Sequence, residues 1–453
     1  MFNHRLLNIV LLLFLILFNP AAVGADSQGE TVWQDEVTLS EPFQLSAGRT
    51  LQISPGTVIR ITSPQAGLNI NGQLLVNGTK GAPVKFVSPP GWKGISFIES
   101  SQKSHVKHAV FANAETAISS IATGFTVTHS SFTGCETAIK LHRESPVLIE
   151  ESLFMQNGVG VDNEMKSVAT IRNSRFIEQK KSAIIAAHGS RGEITGNEFE
   201  KNEQGIVLQQ TYNDPILNNL FRDNKVAIFC NQTKNTPLIK RNRFEKNENA
   251  LINFSFAYPG VEDNHFIGNS VAIRNDQYGS PRVQHNLFKK NGTAIYNYRK
   301  SSPVVERNRI ENNDLAFYCD YSSYPRIREN HLIANTVAVE LGLYQSADWE
   351  KQSGSKPLMQ KEAAARNSKN PMIDQAPTHF TDQVDVSGNW WGEETKILQA
   401  AAVDENLPIF FDRKDKERVV YEGFGPKSYL LDRVDYRPWL QKPVPTVGPR
   451  SVP

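Results

Sequence analysis

Residues 242–251 read Asn-Arg-Phe-Glu-Lys-Asn-Glu-Asn-Ala-Leu, and variants of this segment recur along most of the chain. Its bulky apolar residue returns at intervals of 21 to 23 residues, at Phe111, Phe132, Phe154, Phe176, Phe199, Phe221, Phe244, Phe266, Phe288, Ile310 and Leu332. A repeat of this length is typical of a solenoid, in which each unit buries its apolar face only by stacking on its neighbours.

Other columns keep the same register, so that the unit is N-x-[FIL]-x-x-N-x-x-[AGS]-[IVL]. An asparagine precedes the apolar residue by two positions at Asn197, Asn219, Asn242, Asn264, Asn286, Asn308 and Asn330. A second asparagine follows it by three positions at Asn157, Asn202, Asn224, Asn247, Asn269, Asn291, Asn313 and Asn335. A small residue always stands six positions after it, from Ala117 to Ala338.

These columns predict an all-β fold, a single-stranded right-handed parallel β-helix with coils of about 22 residues, N-terminal cap strands and an irregular C-terminal cap. Stacked asparagine amides can form ladders between coils. Asparagine also tolerates the left-handed backbone of tight corners, and we expect it to adopt that conformation here. A leucine-rich repeat would show several leucine columns and one asparagine column, which this sequence lacks.

The chain divides into five segments. An apolar run at residues 6–18 is shorter than the roughly 20 residues of a membrane span, and the small residues 21–25 follow it. It therefore predicts a secretory signal peptide cleaved near Ala25, a periplasmic, extracellular or cell-surface location, and no membrane span after cleavage. The predicted segments are a signal peptide (1–25), an N-terminal cap with the first coils (26–110), regular coils (111–343), a polar insertion (344–386) and the last coil with the C-terminal cap (387–453).

Helix patterns occur only near the C-terminal end. Residues 359–366, inside the polar insertion, have the pattern of a short helix, and residues 393–403 have that of a second one. The aromatic tail 421–440 is expected to cap the last coil. The net charge is +2, with basic and acidic residues interspersed, so we predict no binding to nucleic acid.

The coil motif, together with Leu74-x-Val76-x-Gly78 near the start and Asn389-Trp390-Trp391-Gly392 near the end, resembles bacterial right-handed parallel β-helix proteins. These are the NosD-like repeats of the carbohydrate-binding and sugar-hydrolase type. The resemblance covers nearly all of the mature chain and implies the fold. It implies no single activity, because that family spans polysaccharide lyases, hydrolases, epimerases, binding modules and a periplasmic copper-site accessory protein.

The three cysteines are predicted to be buried free thiols. Cys230 and Cys319 share a column four coils apart, roughly 19 Å at the strand spacing, which is beyond the reach of a disulfide. The same inward column contains Asn253, Asn275 and Asn297.

Ligand binding is expected at outward positions, because packing occupies the inward ones. Positions +8 and +10 from the apolar column are predicted to point outward and carry an aromatic stripe over about five coils, roughly 20–25 Å long. The predicted ligand-binding residues are Phe229, Phe254, Arg274, Asp276, Tyr296, Tyr298, Tyr318, Asp320 and Tyr321. The corners add Tyr212, Tyr258, Tyr278, Arg299 and Tyr324. Either this stripe is a ligand surface, or the insertion or the tail folds back over it.

The candidate catalytic residues are Asp276, Asp320 and Arg274. The two aspartates lie two coils apart, about 9–10 Å, which is at or past the limit for an inverting carboxylate pair and too wide for a retaining pair. The ten histidines and five methionines show no H-x-H or M-x-x-M spacing, so neither a metal site nor a cofactor is predicted.

We therefore predict an exported, non-catalytic protein that binds a polysaccharide or an envelope partner protein along the aromatic face. Two alternatives stay open. One is a polysaccharide-processing enzyme, either a lyase, a hydrolase or an epimerase, and the other is a structural or maturation accessory factor of the cell envelope.

Overall fold

The computed structural model describes residues 24–25, 29–210, 212–233, 237–353, 381–402, 405–423 and 425–450. The predicted signal peptide, apart from its last two residues, and the helix predicted at 359–366 lie outside the described residues.

The described chain winds through about 14 turns, and most turns contribute one short strand to each of three sheets. Sheet A consists of Gly24–Ala25, Glu30–Trp33, Thr50–Ile53, Gln73–Asn77, Ser104–Lys107, Phe125–Thr128, Pro146–Glu150, Val168–Arg172, Ile194–Thr195, Ile216–Leu217, Leu238–Lys240, Gly260–Glu262, Arg282–Gln284, Val304–Glu306 and Arg326–Arg328.

Sheet B consists of Glu36–Leu39, Val58–Ile61, Val84–Val87, Ala109–Ala112, Ser131–Thr133, Leu153–Met155, Arg175–Ile177, Glu198–Glu200, Leu220–Arg222, Arg243–Glu245, His265–Ile267, Leu287–Lys289, Arg309–Glu311 and His331–Ile333. Sheet C consists of Phe43–Leu45, Leu68–Ile70, Ile95–Ile98, Thr116–Ile121, Thr137–His142, Val159–Asn163, Ser182–Ala186, Gln204–Gln209, Val226–Asn231, Asn249–Phe254, Val271–Asp276, Thr293–Asn297, Leu315–Cys319, Val337–Leu341 and Phe410–Phe411.

Successive strands within each sheet pair in parallel, except that Gly24–Ala25 runs antiparallel to Glu30–Trp33. The predicted right-handed parallel β-helix, with its spacing of about 22 residues and very little helix, is confirmed. The core fills the space between the three sheets, and its centre is a stack of phenylalanine rings from Phe86 to Phe288 whose neighbouring centroids lie 4.6–5.1 Å apart.

The two asparagine columns form buried ladders that tie each turn to the next. The Asn264 side chain accepts hydrogen bonds from the backbone N and Nδ2 of Asn242, at 2.9 and 3.1 Å. Its own Nδ2 donates to the Ile239 carbonyl and to Asn286 Oδ1, at 2.8 and 2.9 Å. Every polar atom of the buried amide is thereby paired, as a dry interior requires.

One expectation about these corners is wrong. The ladder asparagines do not adopt the left-handed conformation; the residues before them do, such as Arg241 and Lys246, both at φ 53°. The reason is geometric, since the left-handed residue turns the chain from one sheet into the next while the residue after it places its amide in the core. A third buried ladder, from Asn253 through Asn275 to Asn297, joins neighbouring strands of sheet C.

The C-terminal segment closes the last turn. Phe410–Phe411 pairs with Val339 and Glu340 in sheet C, and Trp391, Leu398 and Phe410 belong to the main core. The helix expected at 393–403 is shorter, a 3₁₀ turn at Gly392–Glu394 followed by a helix at Thr395–Ala400. A separate helix occupies Ala347–Ser353.

Two strand pairs complete the cap. Gln383–Asp385 pairs in parallel with Arg433–Asp435, and Arg418–Val420 pairs antiparallel with Ser428–Leu430. The end of the chain then runs back along the solenoid, where the Gly448 N–H donates to the Arg307 carbonyl and Arg450 forms an ion pair with Asp263 at 2.8 Å.

Replacing one ladder asparagine is expected to destabilise the fold. Asn264→Ala would leave the buried backbone N–H of Asn242 without its acceptor, a cost of about 1–3 kcal/mol. We expect a lower urea midpoint, followed by circular dichroism. The matched control is Asn218→Gly, an exposed asparagine at φ 54° beside the ladder, whose midpoint should scarcely change because glycine accepts that conformation. Equal midpoints for the two variants would contradict a stabilising ladder.

Candidate functional site

The predicted outward column of sheet C is continuous and in register. Phe229 pairs with Ile252, then follow Arg274, Tyr296, Tyr318 and Glu340 on consecutive strands. Each of these side chains is half-buried, between fully buried neighbours on the same strand. The alternation of the strands therefore brings the predicted residues into one row on the outer face of sheet C.

The aromatic rings of this row stack on one another. Tyr296 and Tyr318 are nearly parallel, with centroids 4.5 Å apart, and the guanidinium of Arg274 lies 5.0 Å from the Tyr296 centroid. At the other end of the row, Phe229 contacts Phe254 with centroids 6.1 Å apart. Stacking covers much of the Tyr296 and Tyr318 ring faces, so the row presents mainly ring edges, phenol hydroxyls and guanidinium groups to a ligand.

Asp276 is buried, and it orients two arginines. Arg299 donates two hydrogen bonds to its carboxylate, at 2.6 and 2.8 Å, and Arg274 approaches it to 3.7 Å. The Arg299 guanidinium also lies 5.2 Å from the Tyr298 centroid. Both arginine side chains are about 40% exposed, at 38% and 42%. The carboxylate thus holds two cations against tyrosine rings at the surface.

Asp320 is also buried, and its carboxylate oxygens accept hydrogen bonds from other groups of the protein. Its Oδ1 accepts hydrogen bonds from the backbone N–H groups of Tyr321 and Tyr344, at 2.9 and 2.8 Å. The Tyr318 hydroxyl donates to Oδ2 at 3.2 Å. Burial raises the pKa of Asp320 to about 6, although these hydrogen bonds oppose the shift.

The C-terminal cap covers one end of the predicted stripe. Tyr321 stacks on Tyr344 with centroids 4.5 Å apart, Tyr421 lies against Tyr344 at 4.7 Å, and Trp349 stacks on Tyr421 at 4.9 Å. The half-buried row from Phe229 to Tyr318 therefore continues into an aromatic cluster beneath the cap. Sequence reasoning missed this cluster because Tyr344, Trp349 and Tyr421 lie beyond the last regular repeat.

The corner tyrosines do not all face outward as expected. Tyr212 is buried and its hydroxyl donates to the Gly192 carbonyl. The Tyr324 hydroxyl donates to the buried carboxylate of Asp432 at 2.8 Å. Tyr278, in contrast, stacks on Phe256 with centroids 4.7 Å apart. The corner tyrosines therefore contribute to packing inside the protein as well as to its surface.

The fold defines a parallel β-helix repeat protein. The model of the family described as "Periplasmic copper-binding protein (NosD)" matches residues 85–256 and 239–392, more than half of the chain. The chain therefore belongs to the NosD family, which is described as periplasmic. In the described part of the chain, no helix has the length and apolarity needed to cross a bilayer.

Solved structures of the periplasmic alginate epimerase AlgG match the chain with low scores. A double mutant of AlgG has 12% identity and a TM-score of 0.32 over 70% of this chain and 76% of that chain. Another AlgG structure has 12% identity and a TM-score of 0.19 over 81% of this chain and 74% of that chain. Scores this low carry no argument about function. No curated protein matches the chain.

The copper of the family description can be compared with the donors present. Burial raises the pKa of Cys135 to about 11 and that of Cys319 to about 12, so thiolate ligands are disfavoured there. Among the described residues, no three His, Cys, Asp or Glu side chains form a metal-binding group. An imidazole and a thioether do meet at the end of sheet C, with His142 Nδ1 3.4 Å from Met165 Sδ. Such soft donors fit copper(I).

The raised pKa of Asp320 should make stability depend on pH. An unfolded aspartate has a pKa of about 3.9, so the folded state binds more protons between about pH 4 and 6, and the free energy of unfolding decreases as the pH rises through that window. Burial also raises the pKa of Asp432 to about 6. We expect the denaturant midpoint of Asp320→Asn, relative to that of the wild type, to increase between pH 4 and 7, because the variant lacks the destabilising contribution of the Asp320 ionisation. Asp432→Asn is the matched comparison. If the denaturant midpoint of Asp320→Asn depends on pH in the same way as that of the wild type, Asp320 ionises normally.

Proposed function

We propose that this chain is an exported, non-catalytic binding protein that holds a polysaccharide along the outer face of sheet C. The observation that carries the proposal is the in-register row from Phe229 to Tyr318, in which Arg274 lies beside the stacked rings of Tyr296 and Tyr318 on adjacent strands. Export is supported by the apolar N-terminal run and by the periplasmic description of the family.

The shape and chemistry of the row favour an extended ligand. Strands about 4.8 Å apart repeat the same kind of position along the solenoid axis, which suits a polymer that presents the same groups at regular intervals. Phenol hydroxyls at Tyr296 and Tyr298 and the guanidinium groups of Arg274 and Arg299 can hydrogen-bond to sugar hydroxyls or carboxylates. Because much of the ring faces is covered, we infer that recognition depends on hydroxyls and guanidiniums more than on stacking.

The hydrogen bonds and the burial of Asp276 and Asp320 support a binding function over a catalytic one. Asp276 is engaged by Arg299 and Arg274, and Asp320 is engaged by two backbone N–H groups and a tyrosine hydroxyl. Both carboxylates are buried. A glycosidase pair has to approach the scissile bond from the two sides, and these carboxylates instead support neighbouring residues.

A glycan array with the purified protein tests the proposal, followed by titration of the best ligand. Tyr296→Ala removes one ring and its hydroxyl from the row, and Tyr296→Phe removes the hydroxyl alone. We expect both to weaken binding about 3- to 10-fold, the value of one net hydrogen bond. The control is Val168→Ala, an exposed position on sheet A, which should bind like the wild type.

Three outcomes would overturn or redirect the proposal. Absence of glycan binding would leave an envelope partner protein as the ligand of the row. Binding that Tyr296→Ala leaves unchanged would place the glycan elsewhere on the protein. Depolymerisation or epimerisation of a bound uronate polymer, detected by mass spectrometry, would favour the enzyme.

A second proposed function is copper binding, which the family description suggests and one contact supports. His142 Nδ1 lies 3.4 Å from Met165 Sδ, on the corner where sheet C ends. This corner is formed by turns that precede the aromatic row in the chain, so the two functions require different residues.

A further inference from the structure

The corner after sheet C brings soft donor side chains from successive turns together. The Glu144 N–H donates to the Met165 carbonyl, and the Lys166 N–H donates to the His188 carbonyl, so Arg143, Met165 and His188 occupy the same position on three consecutive turns. All three have left-handed backbones, with φ between 51° and 54°. Because these turns are about 4.8 Å apart, Met165 has His188 as its neighbour on one side.

On its other side, Met165 meets an imidazole. His142 is the last residue of strand Thr137–His142, and its Nδ1 lies 3.4 Å from Met165 Sδ. Metal–nitrogen bonds of about 2.0 Å and metal–sulfur bonds of about 2.3 Å, as found for zinc, would enclose an angle of about 105° at an ion bound to both atoms. That angle is compatible with three or four ligands, so the two donors can share one ion with little rearrangement.

Met165 and His188 line an open concavity of about 670 Å³ together with Glu164, and His142 is joined to it through its contact with Met165. Met165 is 48% exposed, which is unusual for a large apolar side chain. His188 Nδ1 lies 3.9 Å from Glu164 Oε1, so the second imidazole faces the same space and has a carboxylate beside it. A metal ion arriving from solvent can therefore reach all of these groups.

Resting on the proposed copper function, we propose that this corner is a copper(I) site with His142 and Met165 as ligands and His188 as the third. The thioether is a soft donor that favours copper(I) over harder divalent ions, and imidazole is also a good copper ligand. The site needs the thioether, because His142, His188 and Glu164 do not by themselves form a metal-binding group.

Charged side chains of both signs surround the corner. Arg143 and Lys166 line the concavity together with Glu144 and Glu164, so its formal charges balance. Arg143 is in addition engaged by Glu99 at 3.1 Å.

The test measures copper(I) affinity for the full chain without a histidine tag, by competition with a chromophoric copper(I) chelator under anaerobic conditions. Met165→Leu conserves volume and removes the sulfur, and His142→Gln removes the imidazole. We expect each to weaken copper(I) binding at least tenfold, since even residues that only support a ligand are worth about 10- to 100-fold. His188→Gln should weaken binding as well.

X-ray absorption of the loaded protein supplies a second readout. The wild type should show a sulfur neighbour at about 2.3 Å, and Met165→Leu should lose it. The control is Met155→Leu, a methionine on sheet B, which should keep both the affinity and the sulfur signal. Thermal melting of each variant without copper identifies any that misfold.

The outcomes separate the site from the function. If the wild type retains no copper(I), the copper function itself is wrong. If it binds copper(I) and both Met165→Leu and His142→Gln bind equally well, copper binds elsewhere and this corner is not the site. A sulfur neighbour that persists in Met165→Leu, or binding of copper(II) alone, would equally overturn the assignment.

Discussion

Buried asparagine amides are the constraint on which the rest of this structure depends. At the corners that carry a ladder asparagine, a backbone N–H is buried in a dry interior, and the amide oxygen of the next turn accepts its hydrogen bond. An unpaired buried N–H is costly, so each turn has to stop where the next asparagine can reach it. The ladders therefore fix the length of the coil at about 22 residues, and with it the register of every column.

Because the turns are in register, the residues of one outward sequence column lie side by side and form a row on the surface. Tyr296 and Tyr318 stack because they are equivalent residues on adjacent strands, and Met165 and His188 are neighbours for the same reason. Both proposed sites are thus assembled from residues that lie about one repeat apart in sequence. The ligand that suits such a row is one that is itself repetitive, whereas a corner, where side chains fan outward, can gather a few donors around one point.

The C-terminal cap limits how much of the aromatic row is available. Tyr344, Trp349 and Tyr421 continue the aromatic contacts beyond Tyr321, and the Tyr344 N–H donates to the buried carboxylate of Asp320. The row therefore has two parts, outward and half-buried side chains from Phe229 to Tyr318 and a part beyond them that the cap covers, as expected if the tail folds back over one end; that the outward part binds a ligand remains a prediction. The tail beyond Tyr436 then returns across earlier turns, where Arg450 pairs with Asp263, so the cap is anchored well away from the turn it closes.

The sequence by itself determined the solenoid, its period, the inward columns and the row of outward residues, because each of these follows from a strict periodicity that side-chain alternation converts directly into direction. It also placed the three cysteines in the core, apart from one another. Tertiary structure decided what periodicity does not encode. It buried Asp276 and Asp320 by contacts with Arg299 and the cap, assigned the left-handed backbone to the residue before each ladder asparagine, and brought His142 against Met165 although their spacing matches no metal motif. Those features depend on side-chain reach between turns and on the irregular C-terminal chain, which no repeat in the sequence specifies.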